Sequence, residues 1–268
     1  METLVQFGPR NQLVGILSAG AESAPVLVLP NSGMVPRAGL FRLHVELSRK
    51  LEAQGMRTFR FDLPGVGEAA RLPGCDDRQA TRAALDHLAS QYGCQRFVIG
   101  GVCSAADLGW RIAVQDARVC GLLMLDGISF PGLWFQWARV AAVLRRSPLQ
   151  WPGVVLRLLR RARAAQPTLV AGDYRDWPSR EGARRELSEL VARQVQMLWI
   201  YTGGVSDRFL HPREFRSGFG KASHSDAIAL EHWPDCDHTF YARAHRDRLL
   251  GAVAAWLGSR FADTGGDR

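Results

Sequence analysis

The sequence predicts an α/β chain: a mostly parallel sheet of eight strands with helices packed on both faces. Three observations lead there. Short apolar or β-branched runs alternate along the chain with helical stretches of roughly 12 or more residues. One run, residues 24–29 (APVLVL), is apolar throughout and stops at Pro30-Asn31-Ser32-Gly33, as a strand buried on both faces does. The chain also opens on two β-prone runs, residues 3–7 and 12–18, joined by Gly8-Pro9-Arg10-Asn11. That turn chemistry makes an antiparallel hairpin, which belongs at one edge of the sheet.

The remaining elements follow in order. Residues 40–54 place Leu40, Leu43, Leu47 and Leu51 at helical spacing, and Gly55 closes the helix. Residues 57–63 form the next strand, broken by Pro64-Gly65-Val66-Gly67. Residues 76–92 are helical with Gly93 as the stop, and residues 96–100 are a strand ending in Gly100-Gly101. A helix over 104–115 and a strand over 120–125, ending at Asp126, come next. Strands at 196–202 and 227–231 precede an amphipathic helix at 239–257 and a frayed tail at 262–268. Residues 129–193 break the rhythm and read as a helical cap inserted after the sixth strand, leaving 1–128 and 194–268 as the core. The cap holds Trp134, Trp137, Trp151 and Trp177 among several arginines.

Composition limits the possible functions. At 268 residues, 47% hydrophobic and 22% charged, the chain can bury a large core without disulfides or metals. No apolar run reaches the roughly 20 residues of a membrane span. The N-terminus lacks a basic head followed by an apolar segment, and the five cysteines include no CxxC pair. These features lead us to expect a reduced, cytoplasmic protein. The net charge of +8 is almost all arginine, the only lysines being Lys50 and Lys221. It favours an acidic or phosphate-bearing partner. Without zinc-finger spacing or an RNP motif, nucleic acid is not expected. No metal, nucleotide or flavin is expected either, for lack of a GxGxxG after a strand, a P-loop or a His pair at ligand spacing.

The most informative segment is Phe97-Val98-Ile99-Gly100-Gly101-Val102-Cys103-Ser104-Ala105-Ala106-Asp107, an apolar strand running straight into a helix. A Gly-x-Cys-x-Ala turn at that junction is a nucleophile elbow with cysteine in the usual serine position. The turn is tight, so Gly101 and Ala105 must be small for strand and helix to approach. Cys103 then stands at a helix N-terminus, where the dipole favours a thiolate. Ser104, one residue past the elbow, is the rival nucleophile, and its side chain should point elsewhere. The base expected is His238, in Cys236-Asp237-His238-Thr239-Phe240 between the last strand and last helix. The chain order nucleophile, acid, base favours Asp207 as the acid, with Asp126 as the alternative. Backbone N–H groups of Ser104 and of Ser32 or Gly33 are expected to form an oxyanion hole.

These segments, with Leu29-Pro30-Asn31-Ser32-Gly33 and Phe59-Arg60-Phe61-Asp62-Leu63-Pro64-Gly65-Val66-Gly67-Glu68, make the chain resemble an α/β-hydrolase over nearly its full length. It is most similar to a bacterial group with a Gly-x-Cys-Ser-x-Ala-Asp elbow, found among thioesterases, esterases and exosortase-associated hydrolases. The resemblance implies acyl chemistry through a covalent enzyme. A cysteine nucleophile suits thioesters and activated esters, because its acyl intermediate is itself a thioester. The cap tryptophans, Trp134 and Trp137 among them, would line an apolar pocket for an acyl chain. Arg157, Arg160 and Arg161 would fall on neighbouring positions of one helix face, where they would meet the phosphopantetheine of an acyl carrier protein, or coenzyme A. A solvated basic face reads the same arginines equally well, and membrane-surface contact is less favoured. The leading expectation is therefore an acyl-thioester hydrolase or acyltransferase. A carboxylesterase or lactone hydrolase acting on a small ester, and a non-catalytic descendant that binds an acyl ligand or carrier protein, are the alternatives.

Overall fold

The computed structural model describes residues 1–144, 175 and 177–261. Its centre is one sheet of eight strands: β1 (Glu2–Phe7), β2 (Leu13–Ser18), β3 (Val26–Pro30), β4 (Thr58–Phe61), β5 (Phe97–Val102), β6 (Val119–Leu125), β7 (Gln196–Thr202) and β8 (Ile228–Trp233). They lie in the order β1-β2-β4-β3-β5-β6-β7-β8. β1 and β2 pair antiparallel, β2 meets β4 antiparallel, and every pairing from β4 to β8 is parallel. The opening hairpin thus forms the expected edge.

The central strands bury both faces, and their side chains alternate between two cores, as the period of two requires. Val26, Val28, Ile99, Leu122, Met124, Trp199 and Tyr201 point into one core, against α2 (Asp77–Tyr92) and α3 (Ser104–Gln115). Leu27, Leu29, Val98, Leu123, Leu125, Leu198 and Ile200 point into the other, against α1 (Leu43–Glu52) and α7 (Arg243–Phe261). The first core is strongly aromatic: Trp110 from α3 and Trp199 from β7 are fully buried and meet edge to face.

Helix boundaries follow local chemistry. Asp76 and Gln79 form a reciprocal capping box at the start of α2, and Gly93 ends it in the left-handed region. α1 starts later than leucine spacing predicts. Phe41 and Arg42 take positive φ, and the His44 amide bonds back to the Ala38 carbonyl, so Leu40–Arg42 is a separate turn. α7 likewise begins at Arg243 rather than 239, because the Asp237 carboxylate holds the amides of Thr239 and Tyr241 in a turn.

Between β6 and β7 the described chain forms α4 (Leu133–Leu144) and α5 (Arg180–Ala192). Not all of 129–193 is insertion. Ala183, Leu187 and Leu190 of α5 are buried in the same core as Trp110 and Trp199, so α5 is a flanking helix of the sheet. Trp151, Arg157, Arg160 and Arg161 lie outside the described residues. α6 (Pro212–Phe219) was not read from sequence, although Pro212 at its first position is a helix-start signal. No helix among the described residues is long and apolar enough to cross a membrane.

Within α7, a Cβ at Gly251 would meet nothing within 4 Å. Gly251→Ala is therefore expected to stabilise the protein by about 0.5–1 kcal/mol through helix propensity alone, seen as a rise in Tm of roughly 2 °C.

Candidate active site

Cys103 caps α3 with φ 59° and ψ −117°, a backbone that a non-glycine residue adopts only when its surroundings force it. The elbow is held by the Cys103 amide, which donates to the Leu125 carbonyl at 2.8 Å. Close approach does the rest. A Cβ at Gly101 would lie 3.1 Å from the Ala105 Cβ, and Ala105 is fully buried. Alanine in place of glycine at 105 is accommodated because its partner across the turn has no side chain.

His238 stands on the loop after β8, 33% exposed at its side chain, with Nδ1 2.7 Å from Asp126 Oδ2. Nδ1 is committed to the carboxylate, so Nε2 is left to face the Cys103 thiol. Asp126, at the carboxyl end of β6, is fully buried. Its Oδ1 accepts from the Thr202 amide and its Oδ2 from the Thr202 hydroxyl, both at 2.7 Å. The structure therefore assembles Cys103, His238 and Asp126, and leaves Asp207 out. Asp207 is 70% exposed at its side chain and pairs only loosely, at 3.7 Å, with Arg208. Its position late in the loop after β7 turns it toward solvent rather than the imidazole. Thr202, which fixes the Asp126 carboxylate, was not singled out in the sequence; a threonine ending a strand carries no signal of its own.

Charge is redistributed across this trio. Burial works against the Cys103 thiolate, but its hydrogen bond to His238 and the charges of Arg175 and His238 outweigh it, so the thiol lies below its ordinary value. Asp107 pulls the other way. Hydrogen bonds to Asp126 and to Cys103 push the His238 imidazole up to about 9 against burial. Each group thus favours the charged form of the other: the thiol is drawn down and the imidazole up.

The expected oxyanion donors meet at the elbow. The Ser32 hydroxyl donates to the Val102 carbonyl at 2.8 Å, and Asn31 ties the turn to the end of β4, with Oδ1 accepting from the Leu63 amide at 2.6 Å. The Gly33 amide donates to Ser104 Oγ at 3.0 Å. Gly33 N–H is thus free for a substrate oxygen only when Ser104 turns away. Ser104 N–H, at the first position of α3, has no carbonyl one turn back to bond.

Beside Cys103 and His238 opens a cavity of about 160 Å³, walled by Ser32, Val35, Leu40, Leu43, His44 and Phe240. Trp134 and Trp137 are not part of it. They line a separate groove of about 470 Å³ with Leu133, Ala138 and His211, and Trp137 is 67% exposed. Among the described residues, the apolar wall at Cys103 thus comes from the loop before α1, the start of α1 and Phe240, not from Trp134 or Trp137. His44, which lines the cavity, is buried and pushed down to about 4 by that burial, so it is neutral.

Comparison with known proteins is consistent with this architecture. No family model matches the sequence, and no curated protein matches it. Among solved structures, an α/β hydrolase from Penicillium sp. sh18 is 13% identical, with 98% of this chain and 99% of that one covered at a TM-score of 0.61. An esterase of Pyrococcus furiosus is 11% identical over 97% and 90% of the two chains, with a TM-score of 0.61. A thermophilic esterase from Thermogutta terrifontis is 17% identical over 97% and 98%, with a TM-score of 0.57. Strand order, a strained residue at the β5–α3 junction and similarity along the whole length agree: the chain has the α/β-hydrolase fold.

Proposed function

We propose that the protein is an acyl-thioester or activated-ester hydrolase, or an acyltransferase, working through a covalent acyl-Cys103 intermediate. The observation that carries the reading is Cys103 on its elbow, sharing a cavity with an imidazole whose Nδ1 is bound to buried Asp126. In this mechanism the thiolate attacks the acyl carbonyl, and the oxyanion is held by the Ser104 amide together with a donor from the Ser32-Gly33 turn. The C–S or C–O bond to the leaving group then breaks, and protonated His238 gives its proton to the departing thiolate or alkoxide. Neutral His238 next takes a proton from water, or from an acceptor nucleophile, as that species attacks the acyl-thioester and frees Cys103.

The cavity that the described residues form accommodates a short acyl group. At about 160 Å³ it matches the volume in which engineered cavities of about 150 Å³ hold benzene, so a short apolar acyl group of roughly six carbons fits it. This small apolar pocket also favours the second reading, a carboxylesterase or lactone hydrolase of a small ester. Coenzyme A or an acyl carrier protein would then be the leaving group only under the first reading.

A pH dependence follows from His238. With its pKa raised to about 9, the imidazolium is present at neutral pH and is lost as pH rises through 9. Acyl-enzyme formation from a thioester is expected to fall across that range, as measured by stopped-flow release of thiol.

The test is intact-protein mass spectrometry after brief exposure to acyl-pantetheine thioesters and nitrophenyl esters, with wild type, Cys103→Ala and His238→Ala side by side. An acyl adduct on wild type that Cys103→Ala lacks is expected, and the better donor class separates the two enzymatic readings. No adduct and no released thiol or nitrophenol from any donor would overturn both and leave the acyl-binding reading.

A further inference from the structure

A buried ionic cluster lies directly behind the trio. Asp107, in the first turn of α3, donates its amide to the Cys103 carbonyl at 3.3 Å, one helical turn from the nucleophile. Its carboxylate Oδ2 accepts from Arg175 Nε and from the Trp177 indole at 2.9 Å. Oδ1 is buried and has no hydrogen-bond partner among the described residues. The Arg175 guanidinium lies 4.9 Å from the Trp177 ring. Its two terminal nitrogens both aim at the Asp126 carbonyl oxygen, at 3.4 Å, and Arg208 Nη2 adds a third donor at 3.2 Å. Asp126 itself has φ 52°, a left-handed backbone.

These contacts have two consequences. Asp126 follows Leu125, whose carbonyl receives the Cys103 amide, so the acid and the nucleophile hang from adjacent peptide units. A guanidinium that binds the Asp126 carbonyl at one end and the nucleophile helix at the other fixes their separation. Charge is the second consequence. A carboxylate one turn from a helix-capping thiolate opposes it, and a buried cation on that carboxylate cancels the opposition.

We propose that Arg175 is a positioning residue for this site: it clamps the left-handed Asp126 backbone to the nucleophile helix and offsets the Asp107 charge that would otherwise work against the Cys103 thiolate. The proposal rests on Cys103 being the nucleophile. The charged groups facing Cys103 are His238 from the loop after β8, Arg175 from the segment before α5 and Asp107 on its own helix, with Asp126 acting through His238. Arg208 touches the cluster through the Asp126 carbonyl.

The two halves of the ion pair carry opposite charge, and the test uses that. The pH dependence of Cys103 alkylation by iodoacetamide is followed on the Cys103 peptide by mass spectrometry, with no substrate present. Arg175→Gln is expected to move the midpoint to higher pH and slow alkylation several-fold at neutral pH. Asp107→Asn is expected to move it to lower pH and speed alkylation there. Arg175→Lys, which keeps the charge, should lie near wild type. A purely structural pair would move both neutralising variants in the same direction. That result, or no movement in either, would overturn the proposal. If Arg175→Gln fails to fold, Asp107→Asn and Arg175→Lys decide the question on the same axis. A failure of the acyl-donor panel would leave these alkylation profiles unchanged, so the two readings fail separately.

Discussion

Asp126→Asn is expected to slow acyl-enzyme formation by roughly 10³–10⁴-fold, the loss that follows when a triad acid becomes an amide. The Asp126 carboxylate is buried and surrounded by donors: the Thr202 amide and hydroxyl and His238 Nδ1, each at 2.7 Å. An asparagine must turn its NH₂ toward one of them. If it faces His238, Nδ1 can no longer be the protonated nitrogen, and Nε2 cannot take up a proton from the attacking species. If it faces Thr202, a buried N–H meets a buried N–H. Either arrangement also removes the charge that keeps His238 protonated to about 9. The falling limb of the pH profile should therefore move to lower pH in the variant. Asp207→Asn is the contrasting case. Its side chain is 70% exposed, and a surface change of this kind is worth within about 0.5 kcal/mol, so rates should stay within about a factor of two of wild type. Single-turnover thiol release reads both variants. Equal losses, or a larger loss at Asp207, would remove Asp126 from the trio.

The uneven legibility of the site has a physical basis. An elbow is a local structure. An apolar strand, a glycine, a cysteine and a small residue opening a helix are contiguous in the chain, so Cys103 and its helix could be read from residues 97–107. His238 was legible for a weaker reason, its place between the last strand and the last helix. The aspartate that meets His238 is fixed by a contact across 112 residues, and two strands each end near an aspartate. Chain order alone favours the later one. What decides between them is packing: the Gly203-Gly204 turn after β7 lies against the histidine loop, where a Cβ would come within 2.2 Å of the Pro234 carbonyl oxygen or 2.3 Å of the His238 amide nitrogen, and Asp207 follows only beyond it, with its side chain 70% exposed. The fold shows the same division. α2, with its capping box and terminal Gly93, matches its sequence reading closely. α5 hides inside an arginine-rich stretch, and only its packing on Trp110 and Trp199 reveals it as part of the sheet layer.

That same packing makes Gly204→Ala a demanding test. Gly204 needs no left-handed backbone, so conformational strain is not at issue; the missing side chain is. A Cβ there would lie 2.3 Å from the His238 amide nitrogen and 2.6 Å from its Cβ. Neither atom is the far end of a flexible chain, so the turn or the histidine loop has to move by about an ångström, enough to cost on the order of 10² in rate when it falls on a reacting group. The movement is transmitted directly. The Gly204 amide donates to Thr202 Oγ1 at 3.2 Å, and that hydroxyl in turn donates to Asp126, so His238 and Asp126 are disturbed together. The core is not involved, because Trp199 and Tyr201 lie on β7 before the turn. The expected result is a loss of acyl-enzyme formation of about 10²-fold, with a Tm within a few degrees of wild type and Cys103 alkylation still occurring but with its pH midpoint raised. Unaltered kinetics would mean that the His238 loop yields without cost and that its position against Gly204 does not matter to the chemistry. An unfolded variant would place the contact in the stability of the sheet edge instead, and refolding yield in urea would separate that outcome from the kinetic one.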